Sequence, residues 1–308
     1  MNRSLLTLLI VFAVLIAVYL IINSAKDVTY QPRPFVAVDT TKLDAIAIRG
    51  KAESLLLKKV AGSWHLAEPV VYPADYRFVH DLLVKLENVE IENLISDEPG
   101  KDSIFEVDES GSRVTAMAGM DTLADFIVGK MSSDSRHTYT RKIGEREVYL
   151  VKGTFSSQLS RKAKDWRDKV ILDFSPESVV SLEFQSPKEI FRVEKQDSLW
   201  YVNRGGKTSQ ADTKIVDRTL SALSKFRTFD FLDGDSTRMV DFTKPDLVLN
   251  VQTEGGSQYT LMLTPQDKEA NRYYVKKSGV DNTLFIIYKG SANTLLKKAD
   301  EFIKKENA

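Results

Sequence analysis

Residues 55–66 read LLLKKVAGSWHL and residues 191–202 read FRVEKQDSLWYV, so that a shift of 136 superposes Trp64 on Trp200. In both stretches apolar and polar residues alternate on either side of a short turn, which is 61–63 in the first stretch. Alternation with a period of two residues, interrupted by a turn, predicts a β-hairpin. The sequence therefore predicts the same hairpin twice, each with a tryptophan on its second strand.

Two further blocks repeat at nearly the same distance. Residues 74–86 (ADYRFVHDLLVKL) match 211–223 (ADTKIVDRTLSAL), and residues 148–153 (VYLVKG) match 285–290 (FIIYKG), both at a shift of 137. Three matched blocks with one nearly constant offset indicate a tandem duplication of a unit of roughly 135 residues. The duplication predicts two domains of ordinary size.

The second block has the pattern of a helix in each copy. In 74–86 the apolar residues form one stripe at helical spacing, consisting of Val79, Leu82, Leu83 and Leu86. In the second copy Thr219 interrupts this stripe. Asp75 and Asp212 stand at the predicted helix starts, where a carboxylate can accept the free amide hydrogens of the first turn.

Each copy closes with strand-like segments and a short helix. The predicted closing strands are 123–128, 137–142 and 148–151 in the first copy and 259–264, 272–277 and 285–288 in the second. Strands outnumber helices and short turns connect them, which favours an antiparallel sheet with one or two packed helices in each domain. We predict an α+β fold with two tandem repeat domains, 41–172 and 173–308.

The composition excludes several classes of protein. The apolar share of 43% and the charged share of 28% are typical of a globular chain. Lysine plus arginine equals aspartate plus glutamate, at 43 each, so no net charge attracts nucleic acid. The chain has no cysteine, which removes disulfides, thiolate metal sites and a cysteine nucleophile.

Residues 5–22 (LLTLLIVFAVLIAVYLII) carry no charged residue. As a helix at about 1.5 Å per residue they would span roughly 27 Å, close to the hydrocarbon thickness of a bilayer. We predict a single transmembrane helix here, after a short cytoplasmic N-terminus (1–4) and before a linker (23–40). A cleaved signal peptide is the alternative interpretation.

The charges beside this segment predict its orientation. Arg3 and the amino terminus precede it, whereas Lys26 follows it and is offset by Asp27. This bias favours a cytoplasmic N-terminus. We therefore expect a single-pass protein of the bacterial inner (cytoplasmic) membrane with its domains on the periplasmic side. The reversed orientation is the alternative.

The search for catalytic or metal-ligating residues finds no convincing site. The three histidines, His65, His80 and His137, all lie in the first copy and align with other residue types in the second. They lack a close metal-binding spacing. Phosphate-binding glycine motifs and serine nucleophile motifs do not occur in the sequence. We predict no catalytic, cofactor-binding or metal-ligating residue, and no cofactor.

Other candidate groups have simpler structural interpretations. Trp64 and Trp200 could stack on a sugar or peptide, but equivalent large residues in a duplicated hairpin favour core anchors. In the cluster 166–169 (WRDK), Arg167 and Asp168 could form a charged pair at the domain junction. The carboxylate pairs and glycine pairs are explained by chance and by hairpin turns, and comprise Asp97/Glu98, Asp233/Asp235, Gly205/Gly206 and Gly255/Gly256.

These residues together resemble a known bacterial family, the domain of unknown function 4340 family. The stretches that carry the resemblance are Leu57–Lys59 through Trp64, Pro73–Asp75, Tyr139–Arg141, Val148–Val151 and Trp166–Lys169. The resemblance covers most of 41–172 and, more faintly, the second copy. The segment 104–107 departs from the family pattern. The resemblance implies an envelope protein found beside ABC-type exporters and gliding-motility-like components, and it implies no activity for any residue.

The leading hypothesis is a non-enzymatic, membrane-anchored periplasmic accessory or scaffold protein. Its expected partners are the inner membrane, through 5–22, and an ABC-type transporter or another envelope complex, with no nucleic acid. The alternative is an envelope enzyme or a carbohydrate- or peptide-binding module that acts on cell-wall material. Exposed tryptophans lining a cleft would favour the alternative.

Overall fold

The structure of the chain is a computed structural model that describes residues 12–19, 33–50, 53–267, 269 and 271–305. It confirms an α+β fold with two antiparallel sheets and few helices. Most of the predicted anchor and linker lies outside the described residues, and the described part of the anchor, 12–19, is helical (α1). Within the described residues, no helix combines the length and the apolar character needed to cross a membrane.

The strands follow one another along the chain with short connections. In chain order they are β1 (Arg33–Pro34), β2 (Ala45–Arg49), β3 (Ser54–Val60), β4 (Ser63–Glu68), β5 (Tyr72–Pro73), β6 (Glu90–Ser96), β7 (Ser112–Ala118), β8 (Asp121–Met131), β9 (His137–Lys142), β10 (Val148–Lys152), β11 (Val179–Gln185), β12 (Ile190–Gln196), β13 (Leu199–Arg204), β14 (Lys207–Gln210), β15 (Asp230–Asp233), β16 (Leu247–Thr253), β17 (Gln258–Pro265), β18 (Arg272–Lys277) and β19 (Thr283–Tyr288).

The helices after α1 are short, except for one in each sequence copy. They are α2 (Tyr76–Asn88), α3 (Asp102–Phe105), α4 (Ser156–Leu159), α5 (Ala163–Trp166), α6 (Thr213–Leu223), α7 (Lys289–Leu295) and α8 (Ala299–Phe302). Short 3-10 helices cover Thr40–Lys42, Pro176–Ser178 and Gly234–Met239.

The described residues form two compact units. The first contains the residues up to Val71 together with Arg77–Arg161. The second contains Tyr72–Tyr76 and the residues from Lys162 onward. The second unit is therefore discontinuous, because the four residues before α2 and the first residue of α2 belong to it. The end of the first sequence copy, from Lys162, also lies in the second unit.

The two units have the same strand order. In the first unit the sheet runs β6-β10-β9-β8-β7-β2-β3-β4, with β1 beside β6. In the second unit it runs β15-β19-β18-β17-β16-β11-β12-β13, with β14 beside β13. Each strand of one order stands at the position of its sequence counterpart in the other. The sequence duplication is thus a duplication of topology.

The hairpin that opens the sequence argument forms in both units. In the first, β3 pairs with β4 and places Lys59 opposite Trp64. Its two-residue turn, Ala61 and Gly62, has φ values of 48° and 85°. Positive φ at both central residues is the geometry whose twist matches that of the flanking strands. In the second unit Lys195 lies opposite Trp200 in the same way.

The long helix of each copy buries the apolar stripe that its sequence predicts. In α2 the buried residues are Val79, Leu82 and Leu86. In α6 they are Val216, Thr219, Leu220 and Leu223. Thr219 stays within the buried stripe because its hydroxyl donates a hydrogen bond to the Ile215 carbonyl at 2.9 Å. A threonine can satisfy its polar group this way inside a helix.

Candidate functional site

The segment Trp166–Lys169 is held by backbone hydrogen bonds to the segment before α2, and both belong to the second unit. The Asp75 N–H donates to the Trp166 carbonyl at 2.7 Å, and the Asp168 N–H donates to the Pro73 carbonyl at 2.8 Å. Because α5 ends at Trp166, Arg167 is extended and lies between these two bonds. This pairing fixes the direction of the Arg167 side chain.

The guanidinium of Arg167 is surrounded by groups of complementary chemistry. The residue is 1% exposed, and its Nη1 donates to Asp233 Oδ2 at 2.8 Å. The Thr283 hydroxyl donates to the other oxygen of Asp233 at 2.7 Å. The Tyr72 and Phe231 rings lie on the guanidinium, with their centroids 4.0 Å and 3.6 Å from Cζ. A guanidinium suits such a site because it stacks on rings and binds a carboxylate in one plane.

The predicted pairing of Arg167 with Asp168 is wrong. Arg167 pairs with Asp233, and the Asp168 carboxylate instead accepts from the Val170 N–H at 3.0 Å. The physical reason is that Arg167 is extended, and successive side chains of extended backbone point to opposite sides. Neighbours in sequence therefore cannot share the site, and the partner comes from β15.

Tyr72 beside this guanidinium is a poor acid. Burial raises the pKa of its phenol to about 12, with Asp168 and Asp233 adding to the rise and Arg167 opposing it. The phenol is therefore neutral at physiological pH. Its ring serves as an aromatic surface for Arg167.

Two more ion pairs join the same segments to the residues around β15. The Lys164 Nζ lies 2.9 Å from Asp230 Oδ2, and Arg227 Nη2 lies 3.6 Å from Asp75 Oδ2. Burial acts to raise the pKa of Asp230, but the hydrogen bonds from Lys164 and the Phe231 N–H, together with the charges of Lys164 and Lys169, outweigh it and leave this pKa lowered. The cluster thus neutralises its own charges, which is the behaviour of a structural network.

Neither hairpin tryptophan can act as an exposed ligand platform. Trp64 is 9% exposed and Trp200 is 6% exposed. Trp200 packs in the apolar core of the second unit together with Val202 and Leu220. Both tryptophans therefore have the burial of core anchors, which removes the exposed aromatic surface on which the ligand-binding alternative depended.

A grouping that the sequence analysis missed lies in the turn between β8 and β9. It brings together Ser132, Asp134 and His137, with His137 Nδ1 2.7 Å from Asp134 Oδ2. The Ser132 hydroxyl donates to Asp134 at 2.5 Å rather than to the histidine ring. A nucleophilic triad needs a hydrogen bond from serine to histidine. This grouping is therefore a hydrogen-bonded turn.

The remaining candidates also have structural partners. His65 Nδ1 lies 3.1 Å from the Ser63 carbonyl, and His80 is exposed on α2. Among the residues that the structure describes, no group of three histidine, aspartate or glutamate side chains could hold a metal ion. Gly205 and Gly206, with φ values of 56° and 78°, form the turn between β13 and β14 as predicted.

An open cavity of about 990 Å³ lies in the second unit, between the start of α6 and the C-terminal segment. Its lining contains five lysines, which are Lys214, Lys297, Lys298, Lys304 and Lys305. Three carboxylates, Asp212, Asp300 and Glu301, lie among them. The Lys297 ammonium pairs with Glu301 at 3.0 Å. The other four lysines outnumber the two remaining carboxylates, so the net charge of the lining is positive.

The match to known proteins rests on the middle of the chain. A family model described as Domain of unknown function (DUF4340) matches residues 64–245, which is more than half of the 308 residues. The chain belongs to the DUF4340 family. This confirms the resemblance drawn from the sequence. Among curated proteins and among solved structures, none matches the chain.

The DUF4340 match spans parts of both copies. It begins at Trp64 in the first hairpin and includes α2, the cluster 166–169 and the second hairpin with Trp200. The matched region contains Arg167 and its contacts Tyr72, Phe231 and Asp233. Thr283, which also belongs to the cluster, lies beyond the end of the match. The DUF4340 description carries no activity that could be assigned to these side chains.

Proposed function

We propose that this protein is a non-enzymatic, membrane-anchored accessory or scaffold protein of the bacterial envelope. One observation supports this most. The two copies share the groups that build the fold, including the buried hairpin tryptophans Trp64 and Trp200, and they do not share the histidines. A duplicated enzyme would be expected to retain its catalytic groups in at least one copy, in contact with one another.

The burial of charge supports the same proposal. Among the described residues, Arg167 is the most deeply buried arginine. Asp233 neutralises its charge, and two aromatic rings cover its guanidinium. A catalytic cation would face space that a substrate could enter. A scaffold uses such a cluster to hold segments together.

The proposed location follows from the N-terminal segment. Residues 5–22 anchor the chain in the inner membrane, and the two units lie on the periplasmic side. The proposed partner is an ABC-type transporter or a related envelope complex, because such systems accompany the family that the sequence resembles. The protein would give this partner two copies of one folded surface.

The partner is tested by crosslinking in intact cells that carry the full-length, affinity-tagged chain. We expect subunits of one transporter to copurify with the tagged chain after solubilisation. A tagged, unrelated single-pass envelope protein at the same abundance is the control. The proposal fails if the chain is recovered without transporter subunits beyond those recovered with the control.

The non-enzymatic role and the orientation are tested separately. A variant with His65→Gln, His80→Gln and His137→Gln should capture the same partner and support the same growth, because these side chains have no chemical role. Alkaline phosphatase fused after Ala308 should be active, because this enzyme becomes active only outside the cytoplasm. A green fluorescent protein fused at the same position should be dark, because it does not fold there after export. A bright fluorescent fusion with inactive phosphatase would reverse the orientation.

A further inference from the structure

The carboxylates that line the open cavity of the second unit are already engaged by other groups. Asp300 Oδ1 lies 2.7 Å from the Arg204 guanidinium. Glu301 Oε2 lies 3.0 Å from the Lys297 ammonium. Asp212 accepts a hydrogen bond at 2.9 Å from the N–H of the second residue of α6, so this helix start has its own capping carboxylate. None of these three carboxylates is left to neutralise the other four lysines of the lining.

Those four lysines border the cavity as exposed side chains. Among the residues that the structure describes, no carboxylate lies at ion-pair distance from their ammonium groups, which belong to Lys214, Lys298, Lys304 and Lys305. A single exposed lysine is solvated and needs no partner. Four ammonium groups around one concave surface of about 990 Å³ repel one another, and a bound anion would remove this repulsion.

The repeat-related segment of the same unit keeps its lysine paired. A shift of 136 relates Lys305 to Lys169, which lies 3.4 Å from Asp165. The counterpart of Asp165 is Glu301, and the Lys297 ammonium already occupies it. Lys305 therefore lacks the partner that Lys169 has. The residue before it is also a lysine, where the first segment has an aspartate.

The cavity has an apolar part as well as a cationic one. Ile215 and Ile303 line it, are half-buried and pack against the apolar core of the second unit. A soluble polyanion would use the lysines alone. A phospholipid presents a phosphate directly beside its apolar glycerol and acyl groups, so this mixed lining suits a lipid headgroup better than a soluble anion.

The type of cation points to the same ligand. The described lining contains lysines and no arginine. A lysine ammonium acts as a point charge and binds phosphate without the planar geometry that a guanidinium imposes. Where the second unit holds a carboxylate in a fixed plane, at Asp233, it uses Arg167. The lysines of the cavity suit phosphates that are free to shift in position.

We propose that this cavity binds the phosphate groups of anionic phospholipid headgroups at the membrane surface. The inference rests on the proposed function, because the membrane anchor would keep the second unit within reach of the bilayer. The four ammonium groups would lie among the phosphates, and Ile303 would contact the glycerol region. Each lysine beside an anionic bilayer strengthens binding about fivefold.

Thiol protection tests the site in the full-length chain, whose lack of cysteine removes any background. Thr213→Cys places a thiol on an exposed residue of the lining. Ser257→Cys places one on the exposed connection between β16 and β17, outside the lining. Each chain is reconstituted in phosphatidylcholine nanodiscs with or without phosphatidylglycerol and treated with an uncharged, water-soluble maleimide. We expect phosphatidylglycerol to slow modification of Thr213→Cys about fivefold and to leave Ser257→Cys unchanged.

Neutralised lysines supply the second measurement. Lys304→Gln with Lys305→Gln, in the Thr213→Cys chain, should abolish the protection by phosphatidylglycerol. Lys244→Gln with Lys276→Gln removes the same charge from exposed lysines outside the lining and should leave the protection unchanged. Circular dichroism of both variants checks that the fold is kept.

The proposal is overturned if phosphatidylglycerol protects both thiols equally or neither, or if the two lysine pairs act alike. Added tripolyphosphate and polyglutamate are tested on Thr213→Cys in nanodiscs of phosphatidylcholine alone. Protection by either would identify a soluble phosphate compound or an acidic protein segment as the ligand, and would overturn the lipid assignment.

Failure of this inference can be told apart from failure of the proposed function. The chain with Lys304→Gln and Lys305→Gln should still copurify with transporter subunits, because the anchor and the rest of the surface are unchanged. Loss of lipid protection alone therefore overturns the site and leaves the partner in place. A full-length chain that does not enter nanodiscs would contradict the anchor and overturn both.

Discussion

Arg167 illustrates how a fully buried cation can be tolerated. Its charge is balanced by Asp233, and its two faces are covered by the Tyr72 and Phe231 rings at 4.0 Å and 3.6 Å. Burying a charge without a partner would cost several kcal/mol, so each of these contacts matters. Among the described residues, the Arg167 Nε is left without a hydrogen-bond partner. The site therefore depends on the pair with Asp233.

Replacement of this arginine should destabilise the second unit. Arg167→Ala removes the partner of Asp233 and leaves a void between two rings, so the free energy of unfolding should fall by about 3 kcal/mol. Arg167→Lys should restore only part of it, since an ammonium cannot stack as a guanidinium does. Urea unfolding followed by circular dichroism measures both.

The matched control is Arg238→Ala, at an exposed arginine 3.3 Å from Asp235. Exposed ion pairs contribute little, so we expect a loss below about 0.5 kcal/mol. Equal losses at the two arginines would contradict the structural role of the Arg167 cluster.

The Tyr72 phenol should titrate above the ordinary range of a tyrosine. Its pKa is about 12 because the side chain is half-buried, against an ordinary value of about 10. Absorbance at the phenolate band, compared between the natural chain and Tyr72→Phe, should isolate one group that ionises near pH 12. Ionisation near pH 10 in the difference spectrum would contradict the partial burial of this phenol.

The sign of the accompanying stability change follows from the same pKa. Since the folded pKa is raised, the stabilisation by neutral Tyr72 is complete below about pH 10. It is lost as the pH rises from about 10 to about 12. Tyr72→Phe should therefore reduce the fall in unfolding free energy across this interval.

At the scale of elements, the duplicated helices α2 and α6 differ at one buried position. A shift of 137 relates Leu82 to Thr219, and both are buried. Leucine fills its site with apolar contacts alone, whereas threonine fills it with one methyl group and a hydroxyl bound to the Ile215 carbonyl. One topology thus accepts two solutions at the same place.

This difference predicts unequal effects of truncation. Leu82→Ala should lower the free energy of unfolding by about 3 kcal/mol, because three apolar carbons are lost from a buried site. Thr219→Ala should lower it by about 1 kcal/mol, since it removes one methyl group and a local hydrogen bond. Both are measured by urea unfolding. Losses of the same size would contradict this prediction, because a leucine and a threonine in equivalent buried sites lose different groups on truncation.

Local pattern explains which elements could be predicted. The hairpins, α2, α6 and strands such as β9 and β18 follow from alternation, turn residues and helical stripes within a few residues. Strands β6 and β15 lack a clear alternation, and the pairing of Arg167 with Asp233 joins residues far apart in the chain. The partner of a buried charge is chosen by tertiary approach, so the neighbouring Asp168 was a reasonable but wrong prediction.

At the scale of the whole molecule, the sequence repeat and the compact units overlap without coinciding. The repeat is visible in three blocks of sequence, and the strand orders of the two sheets correspond along its length. The inclusion of Tyr72–Tyr76 in the second unit is not indicated by any pattern in the neighbouring sequence. It depends on which chain segments meet after both copies have formed.

A fragment of residues 162–308 should therefore be less stable than the second unit in the full chain. It lacks the two backbone hydrogen bonds from the segment before α2 and the Tyr72 ring over Arg167. Two hydrogen bonds and one cation–π contact amount to about 3 kcal/mol. Urea midpoints of the fragment and of a fragment with 70–77 fused through a flexible linker measure the effect. Equal midpoints would contradict it.

The discontinuous second unit also sets an order of events during synthesis. The ribosome makes Tyr72–Tyr76 well before Trp166 and β15, the parts of the chain that these five residues contact. Domains usually begin to fold from the N-terminal side as they emerge. Most of the first unit can fold before the contact partners of this short segment have been made. Closure of the second unit then joins an early part of the nascent chain to a late one.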